Sequence, residues 1–344
     1  MHPFFSLIPS EDSAAQTLAT VYPLDSLAVF EAKGQDALTF LQGQLTNDIV
    51  SPGVGQSRLA GYCTAQGRLL ATMVLGQMPD IDHVPTVRGM MRADILAPVL
   101  KRLSMFILRS KLTLQAAQAY VAGVTAPSSD RAALVSQLGH PLPESTWETL
   151  HGPTGIWIAA PSSAGNAQHN TTVNRWWWIA DQDHVDHLKQ LKLEMAIGSP
   201  ESWACQDIQL GLPWIESRTQ DLFIPQTLNL ELIGGVSFTK GCYPGQEIVA
   251  RSHYRGTVKK RMALGCVTKN DALELIPGMD IFDAAQDDQP CGRLINVANL
   301  SSTDGPTQWL LFETTFDAFD RQQLRVASAN GPAIEIASLP YATR

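Results

Sequence analysis

Gly234-Gly235-Val236-Ser237-Phe238-Thr239-Lys240-Gly241-Cys242-Tyr243-Pro244-Gly245-Gln246-Glu247 is the stretch of this 344-residue chain whose reading decides the rest. Its four glycines permit tight turns and close backbone approach. It runs on into Ile248-Val249-Ala250-Arg251 and Tyr254-Arg255-Gly256. From Lys240 to Arg261 there are six lysines and arginines against one acidic residue, a local charge of +5 in a chain of formal charge −8. Cationic surroundings lower the pKa of a thiol from its ordinary value of about 8.5. Cys242 is therefore a candidate reactive thiolate or soft metal ligand, and the alternative is a structural cysteine ahead of a basic hairpin.

Outward from that segment, the length implies two or three domains at roughly 100–200 residues each. The apolar fraction of 44% is that of a globular protein, and the charged fraction of 17% is low, against about 25% usually, which excludes disorder and coiled coil. The acidic balance disfavours a generic phosphate-backbone binder, and direct DNA binding is not expected. The five cysteines, Cys63, Cys205, Cys242, Cys266 and Cys291, are odd in number and scattered, with no CxxC pair. That pattern fits neither a disulfide framework nor a thiolate-rich zinc site. An iron–sulfur cluster held by this chain alone would lack clustered thiolates. The start, Met1-His2-Pro3-Phe4-Phe5, has no basic residue and is soon followed by Glu11 and Asp12, unlike a secretory signal. Apolar stretches such as Leu69 to Leu75 fall far short of the ~20 residues of a membrane helix. A soluble, cytoplasmic protein is expected.

Periodicity predicts a strand over 27–33, then a helix placing Ala37, Phe40, Leu41 and Leu45 on one face. Two strands, Arg58–Thr64 and Arg68–Leu75, flank the hairpin turn Ala65-Gln66-Gly67. A helix is expected over Asp94–Ser104, with Pro98 tolerated only near its first turn, followed by a strand over Phe106–Leu114. In the middle third a helix spans Arg131 to Leu138, strands Ile156–Ala160 and Arg175–Ala180 follow, and 162–172 reads as a loop. Asp181 or Asp183 caps a helix to about Leu193, and Pro200 begins a new segment. Beyond about residue 256, short strands between turn residues such as Pro277-Gly278, Asp287-Asp288 and Asp304-Gly305-Pro306 read as an all-β barrel. The class is α+β. The run Trp176-Trp177-Trp178 reads as core rather than a base-stacking platform, since on a strand Trp177 points away from the other two. His184 and His187 with Asp181, Asp183 and Asp186 read as dipole-compatible solvent groups, so no metal site is assigned. No P-loop, dinucleotide fingerprint or nucleophile elbow is present.

Lys240-Gly241-Cys242-Tyr243, then Gly245-Gln246-Glu247 and an arginine four residues later, Arg251, resembles the signature of the YgfZ folate-binding family. That family is related to the aminomethyltransferase, or T-protein, of the glycine cleavage system. Asp36-Ala37 with Phe40 through Asp48, Phe223-Ile224-Pro225-Gln226, Asn229-Leu230 and the closing Leu339-Pro340-Tyr341 are similar as well, so the resemblance covers nearly the whole chain. It implies a T-protein-like multidomain fold: two mixed α+β domains around a central cavity and a C-terminal β-barrel. The expected domains are 20–115 with 200–255, which would bind folate, then 116–199, then 256–344.

The resemblance also implies tetrahydrofolate or a derivative as ligand, and iron–sulfur client proteins and tRNA-modifying enzymes as partners, with no membrane. Cys242 and Lys240 would carry the chemistry. Trp203, Gln209, Asn47, Tyr243, Gln246, Glu247, Arg251 and Arg255 would bind the cofactor or shape its loop, with Trp203 stacking on the flat ring. Two departures bear on activity. The T-protein uses an acidic residue just after a Gly-rich hairpin turn, where this chain has Gly67-Arg68-Leu69-Leu70-Ala71-Thr72-Met73. Gln209 replaces the glutamate common to both families, losing a charge-assisted pair to a guanidine-like edge. The leading expectation is an accessory protein for iron–sulfur assembly and iron–sulfur-dependent tRNA modification. The alternative is a tetrahydrofolate-dependent aminomethyltransferase, and a third reading is tRNA binding by the patch Arg251–Arg261.

Overall fold

The computed structural model describes residues 17–79, 83–162, 173–188, 190–191, 195–254, 256, 258–268, 273–286, 289–302 and 305–343. Most of the expected 162–172 loop, the Asp287-Asp288 turn, Asp304 and Arg255 lie outside them. In chain order the elements are β1 (Ala19–Pro23), β2 (Leu27–Lys33), α1 (Ala37–Gln42), β3 (Ser57–Cys63), β4 (Leu69–Gln77), β5 (Thr86–Arg92) and α2 (Ala93–Ser104). Then come β6 (Thr113–Ala116), β7 (Ala119–Pro127), α3 (Arg131–Leu138), β8 (Thr149–Gly152), β9 (Gly155–Ala159), β10 (Val173–Asp181), α4 (Gln182–Leu188), β11 (Met195–Ile197) and α5 (Pro200–Gln209). The last third holds α6 (Gln246–Tyr254), β12 (Lys260–Thr268), β13 (Asp280–Asp283), β14 (Pro290–Ser302), β15 (Gly305–Thr315), α7 (Phe316–Arg321), β16 (Leu324–Val326) and β17 (Glu335–Ala337). This is the α+β class expected. Among the described residues no helix is long and apolar enough to cross a membrane.

The chain divides into two compact units. The first comprises the described residues of Met1–Leu41, Ile49–Arg58 and Val74–Trp203, and the second those of Gln42–Asp48, Leu59–Met73 and Ala204–Arg344. One six-stranded sheet of the first unit has the order β11-β1-β7-β10-β9-β8. Its β1 pairs parallel to β11 and antiparallel to β7, so a strand near the N-terminus joins the sheet built from the middle third. A five-stranded sheet has the order β3-β4-β5-β2-β6.

The C-terminal sheet of the second unit has the order β16-β13-β14-β15-β12-β17. Hydrogen bonds Val326 N–Pro332 O (3.0 Å) and Ile334 N–Leu324 O (2.9 Å) tie β16 to residues 332–334, whose continuation as β17 pairs with Leu264–Cys266 of β12. The two edge strands are thereby joined, which removes exposed sheet edges and matches the barrel-like reading. Inside lie Ile281, Leu294, Leu310, Phe312 and Val326, all essentially without exposure.

Several elements differ from expectation. No strand forms over Phe106–Leu112: the chain leaves α2 through turns, with Phe106 N bonded to Leu103 O, and Phe106 and Leu108 exposed. Only Thr113 and Leu114 of the expected strand enter β6. Pro98 sits at the sixth position of α2, beyond the first turn. It is exposed, so its ring costs a backbone bond without disturbing the buried face of Ile95, Leu96, Val99 and Leu103. The helix α1 stops at Gln42, and Leu45 instead bridges Tyr62. The helix α4 ends at Leu188, with Gln190 N returning to His187 O. The C-terminal part is not all-β, because Thr315 caps the short helix α7 through Ala318 N. Residues 246–254 are helical rather than a hairpin.

The tryptophan run is core, as its alternation required. Trp176 and Trp178 share a face with Trp157, which stacks on Trp178 at 4.6 Å between centroids. Each of these indoles has an acceptor: Trp157 donates to Thr154 Oγ1 (2.9 Å), Trp176 to Pro143 O (2.8 Å) and Trp178 to Thr154 O (2.8 Å). On the opposite face Trp177 stacks on Trp147 at 5.8 Å and meets Trp203 edge-on at 6.3 Å. Gly123 of β7 makes room for Trp203, since a Cβ there would lie 2.2 Å from the indole ring. We expect Gly123→Ala to overpack this face and to destabilise the protein by about 1–3 kcal/mol. Thermal denaturation should show the loss, and an unchanged melting temperature would mean that the ring has room to yield.

Candidate functional site

The second unit holds the cysteine loop by buried polar groups. Thr46 is fully buried. Its hydroxyl donates to Gly235 O (2.7 Å) and accepts from Gly61 N (2.7 Å). Its backbone bonds Gly61 O through N (2.9 Å) and accepts from Ser237 N (2.9 Å). Next to it, Asn47 donates through Nδ2 to Leu59 O and Gly234 O, both at 2.7 Å, while its Oδ1 accepts from Asp48 N (2.9 Å). The start of the 234–245 loop is thus fastened to β3 from one side. Asn47 was expected to line a folate site, and the geometry gives its amide to the backbone.

Lys240 is half-buried, and its Nζ donates to Gln42 O and to Leu45 O (2.6 Å). The ammonium also lies 5.1 Å from the centroid of the Tyr243 ring. Burial pushes Lys240 down to about 8, with Asp48 and Cys242 acting in the opposite sense. Tyr243 is buried, and desolvation raises its phenol above the ordinary value, so it stays neutral. Cys242 between them is exposed, alone among the five cysteines. Cys63 and Cys205 are buried, and desolvation raises the Cys63 thiol to about 12. Cys266 and Cys291 are partly covered and also raised by burial.

The far end of the loop rests on the β3–β4 hairpin. Gly245 takes φ +81°, and a Cβ there would meet Thr64 O at 2.5 Å and Gly67 Cα at 2.6 Å. Gly67, at φ +73°, closes the hairpin through Gly67 N–Thr64 O (2.9 Å). Two glycines in left-handed conformation therefore face each other, a contact that any side chain would open. From Gly245 the chain enters α6, on which Glu247 and Arg251 are exposed and Gln246 is half-buried, while Val249 is buried. Gln226 anchors this helix by donating to Val249 O.

Of the expected site residues, the structure brings Asn47, Lys240, Cys242 and Tyr243 together around one loop, and places Gln246, Glu247 and Arg251 on the helix that follows. Arg255 lies outside the described residues. Trp203 and Gln209 share α5, but six residues at about 100° each set them on different faces. Trp203 is 2% exposed, the Arg175 guanidinium sits 4.0 Å over its ring, and its Nε1 is buried without a hydrogen-bond acceptor. Gln209 is half-buried at the end of α5. In the hairpin stretch, Ala71 and Thr72 are fully buried; Thr72 Oγ1 donates to Pro213 O (3.1 Å) and accepts from Ile215 N (2.9 Å).

Two features escaped the sequence reading. Thr46 stood in the quoted motif, but its side chain was not singled out. Phe238, His253 and Tyr254 form an aromatic cluster, with Phe238 and His253 stacked at 3.9 Å. A cavity of about 720 Å³ lies in the C-terminal part, lined by residues including Arg261, Thr314, Phe319, Glu335 and Tyr341, and holds none of the expected site residues.

Two outcomes follow from this geometry. Iodoacetamide should alkylate Cys242 faster than the other four cysteines near neutral pH, as mass spectrometry of limited digests would show; equal labelling of Cys266 would contradict it. For Lys240, whose proton affinity is lower folded than unfolded, the unfolded chain holds the extra proton between pH about 8 and 10.5. That group's contribution therefore favours folding as pH rises through this window. The stability difference between the parent and Lys240→Met should shift in the parent's favour from pH 8 to 10, measured by urea unfolding, and a pH-independent difference would refute the burial.

No family model matches the chain. A tRNA-modifying protein YgfZ from Shigella boydii is 30% identical over 260 residues, covering 74% of each chain. One from Klebsiella pneumoniae is 31% identical over 253 residues, covering 73% of this chain and 72% of its own. Among solved structures, the glycine cleavage system aminomethyltransferase T from Bartonella henselae superposes with a TM-score of 0.67 over 95% of this chain and 87% of its own. At 12% identity that likeness shows a shared fold. With the cysteine loop, its threonine–asparagine clamp and this degree of identity in hand, the chain belongs to the YgfZ family.

Proposed function

We propose that this chain is a folate-binding accessory protein serving iron–sulfur-dependent tRNA modification, and that it acts through Cys242. The observation that carries the reading is an exposed cysteine on a loop fastened at both ends, beside a half-buried ammonium. A thiol presented this way suits contact with a partner's metal–sulfur chemistry better than it suits packing. The role in tRNA modification is carried over from the relatives' name, and iron–sulfur clients and a cytoplasmic place are proposed from the resemblance of the cysteine motif.

What supports a heteroaromatic ligand is a single buried donor, on a Trp203 ring that is 2% exposed and packed on Gly123. The planar Arg175 guanidinium already lies over the Trp203 ring, and Trp203 Nε1 is a buried donor in want of an acceptor. Tetrahydrofolate or a derivative would supply a pterin ring and a one-carbon unit. Trp203 would stack on it only once the Arg175 guanidinium had moved off its ring, and Gln209 would offer one amide bond where a carboxylate would offer a charged pair. Lys240, Tyr243, Gln246 and Glu247 would shape the loop, and Arg251 and Arg255 would supply positive charge around it.

Aminomethyl transfer, the alternative, needs an acid after the hairpin turn. Ala71 and the engaged Thr72 stand there, and losing a general acid typically costs 10²–10⁴-fold. We therefore expect no methylene-tetrahydrofolate from the aminomethyl-loaded carrier protein. In cells lacking the endogenous relative, Cys242→Ala should fail to restore iron–sulfur-dependent tRNA modification while melting like the parent, as nucleoside analysis of bulk tRNA would show. Full restoration by the alanine variant would sink the thiol reading. Titration with tetrahydrofolate should quench tryptophan fluorescence, and Trp203→Phe should weaken that response.

A further inference from the structure

We infer that the exposed end of α6, with Phe238, forms a stacking platform for an unpaired RNA base beside the cysteine loop. Phe238 and His253 stack at 3.9 Å between centroids with an interplanar angle of 18°. Tyr254 stands edge-on to both, at 6.1 Å and 5.0 Å. An aromatic cluster of this kind ordinarily belongs to a core. Here Tyr254 is 72% exposed, His253 is exposed, and Ile248 of the same helix is 41% exposed. A large ring held at a fixed angle and left open to solvent offers a π-face, which every nucleobase can stack on.

The charge around it selects a polyanion. Of the six cations between Lys240 and Arg261, three are engaged by the protein itself. Lys240 bonds backbone carbonyls, Lys260 pairs with Glu313 at 3.5 Å, and Arg261 pairs with Glu231. Arg251 and Lys259 are exposed, and neither enters an ion pair with another described residue. Arg251 stands three residues before Tyr254 on α6, the spacing that places two side chains on one helix face. Glu247 is the acid on this helix. Arg251 thus stands beside the open aromatic ring in a chain of net charge −8, which matches a phosphate next to a splayed base. A charged flank of this kind fits an apolar protein partner poorly. The choice of RNA over single-stranded DNA rests on the proposed role in tRNA modification, whereas the platform itself does not.

The test is fluorescence anisotropy of the full chain with a short fluorescein-labelled single-stranded RNA of mixed sequence. Binding should weaken with added salt. Tyr254→Ala should lower affinity roughly 5- to 150-fold, the range for losing one base stack, and Tyr254→Phe should restore most of it. Tyr254 is exposed, so the alanine variant should melt like the parent; if it does not, Arg251→Gln, which should weaken binding and flatten the salt dependence, decides instead. No RNA binding at low salt, or an affinity unmoved by both variants, overturns the platform. Equal affinity for DNA of the same sequence overturns the choice of RNA, and loss of a co-purifying protein without any RNA binding makes the surface a protein-docking site. Tetrahydrofolate titration of Tyr254→Ala scores the folate reading separately, since that variant should leave it unchanged.

Discussion

The four hydrogen bonds of Thr46 hold two distant parts of the chain, Gly61 of β3 and residues 235–237, in one register. The residue is fully buried, so each of these bonds forms away from water, and losing the hydroxyl would strand Gly61 N and Gly235 O at a cost of about 1–3 kcal/mol apiece. Asn47 repeats the arrangement one residue later, across Leu59 O and Gly234 O. Everything proposed for the cysteine loop depends on this clamp. A glycine-rich segment has high conformational freedom in the unfolded chain, and without fixed partners Cys242 would sample many positions.

Burial at the loop divides the charged and polar groups into those that hold the structure and those that face outward. Lys240 enters the protein and bonds carbonyls, which lowers its proton affinity. Tyr243 is buried and neutral. Cys242, two residues after Lys240 and one before Tyr243, faces solvent. The same division runs through the basic stretch that follows, where Lys260 and Arg261 pair with carboxylates while Arg251 and Lys259 remain outside. Net charge counted along a sequence therefore overstates the field available to a ligand, because paired cations contribute little to it.

A fold shared with an aminomethyltransferase does not by itself assign that chemistry to this chain. In this chain the hairpin that would carry an acid instead buries Ala71 and Thr72, and the threonine hydroxyl bridges Pro213 O and Ile215 N. The glycines of the same hairpin keep their part in the architecture, since Gly67 and Gly245 pack backbone to backbone at positive φ.

Much of this was legible in the residues themselves. The α+β class, the hairpin at Ala65-Gln66-Gly67, the core placement of Trp176 and Trp178 and the barrel-like end follow from local periodicity and turn chemistry, which act over a few residues and so are written in adjacent positions. The motif around Cys242 marked the loop for the same reason. What the tertiary structure alone decided are the relations between distant residues: that the Thr46 hydroxyl fastens the loop to β3, that Asn47 uses its amide on backbone, and that Lys240 turns inward. The helix 246–254 was hidden because glycine, proline and basic residues around it read as turn, and its helicity comes from packing Val249 and from the bond of Gln226 to Val249 O. The stack of Phe238 on His253 joins a loop to that helix, so no spacing in the sequence could show it. Local propensity is set by neighbours along the chain, whereas burial and hydrogen-bond partners are set by neighbours in space.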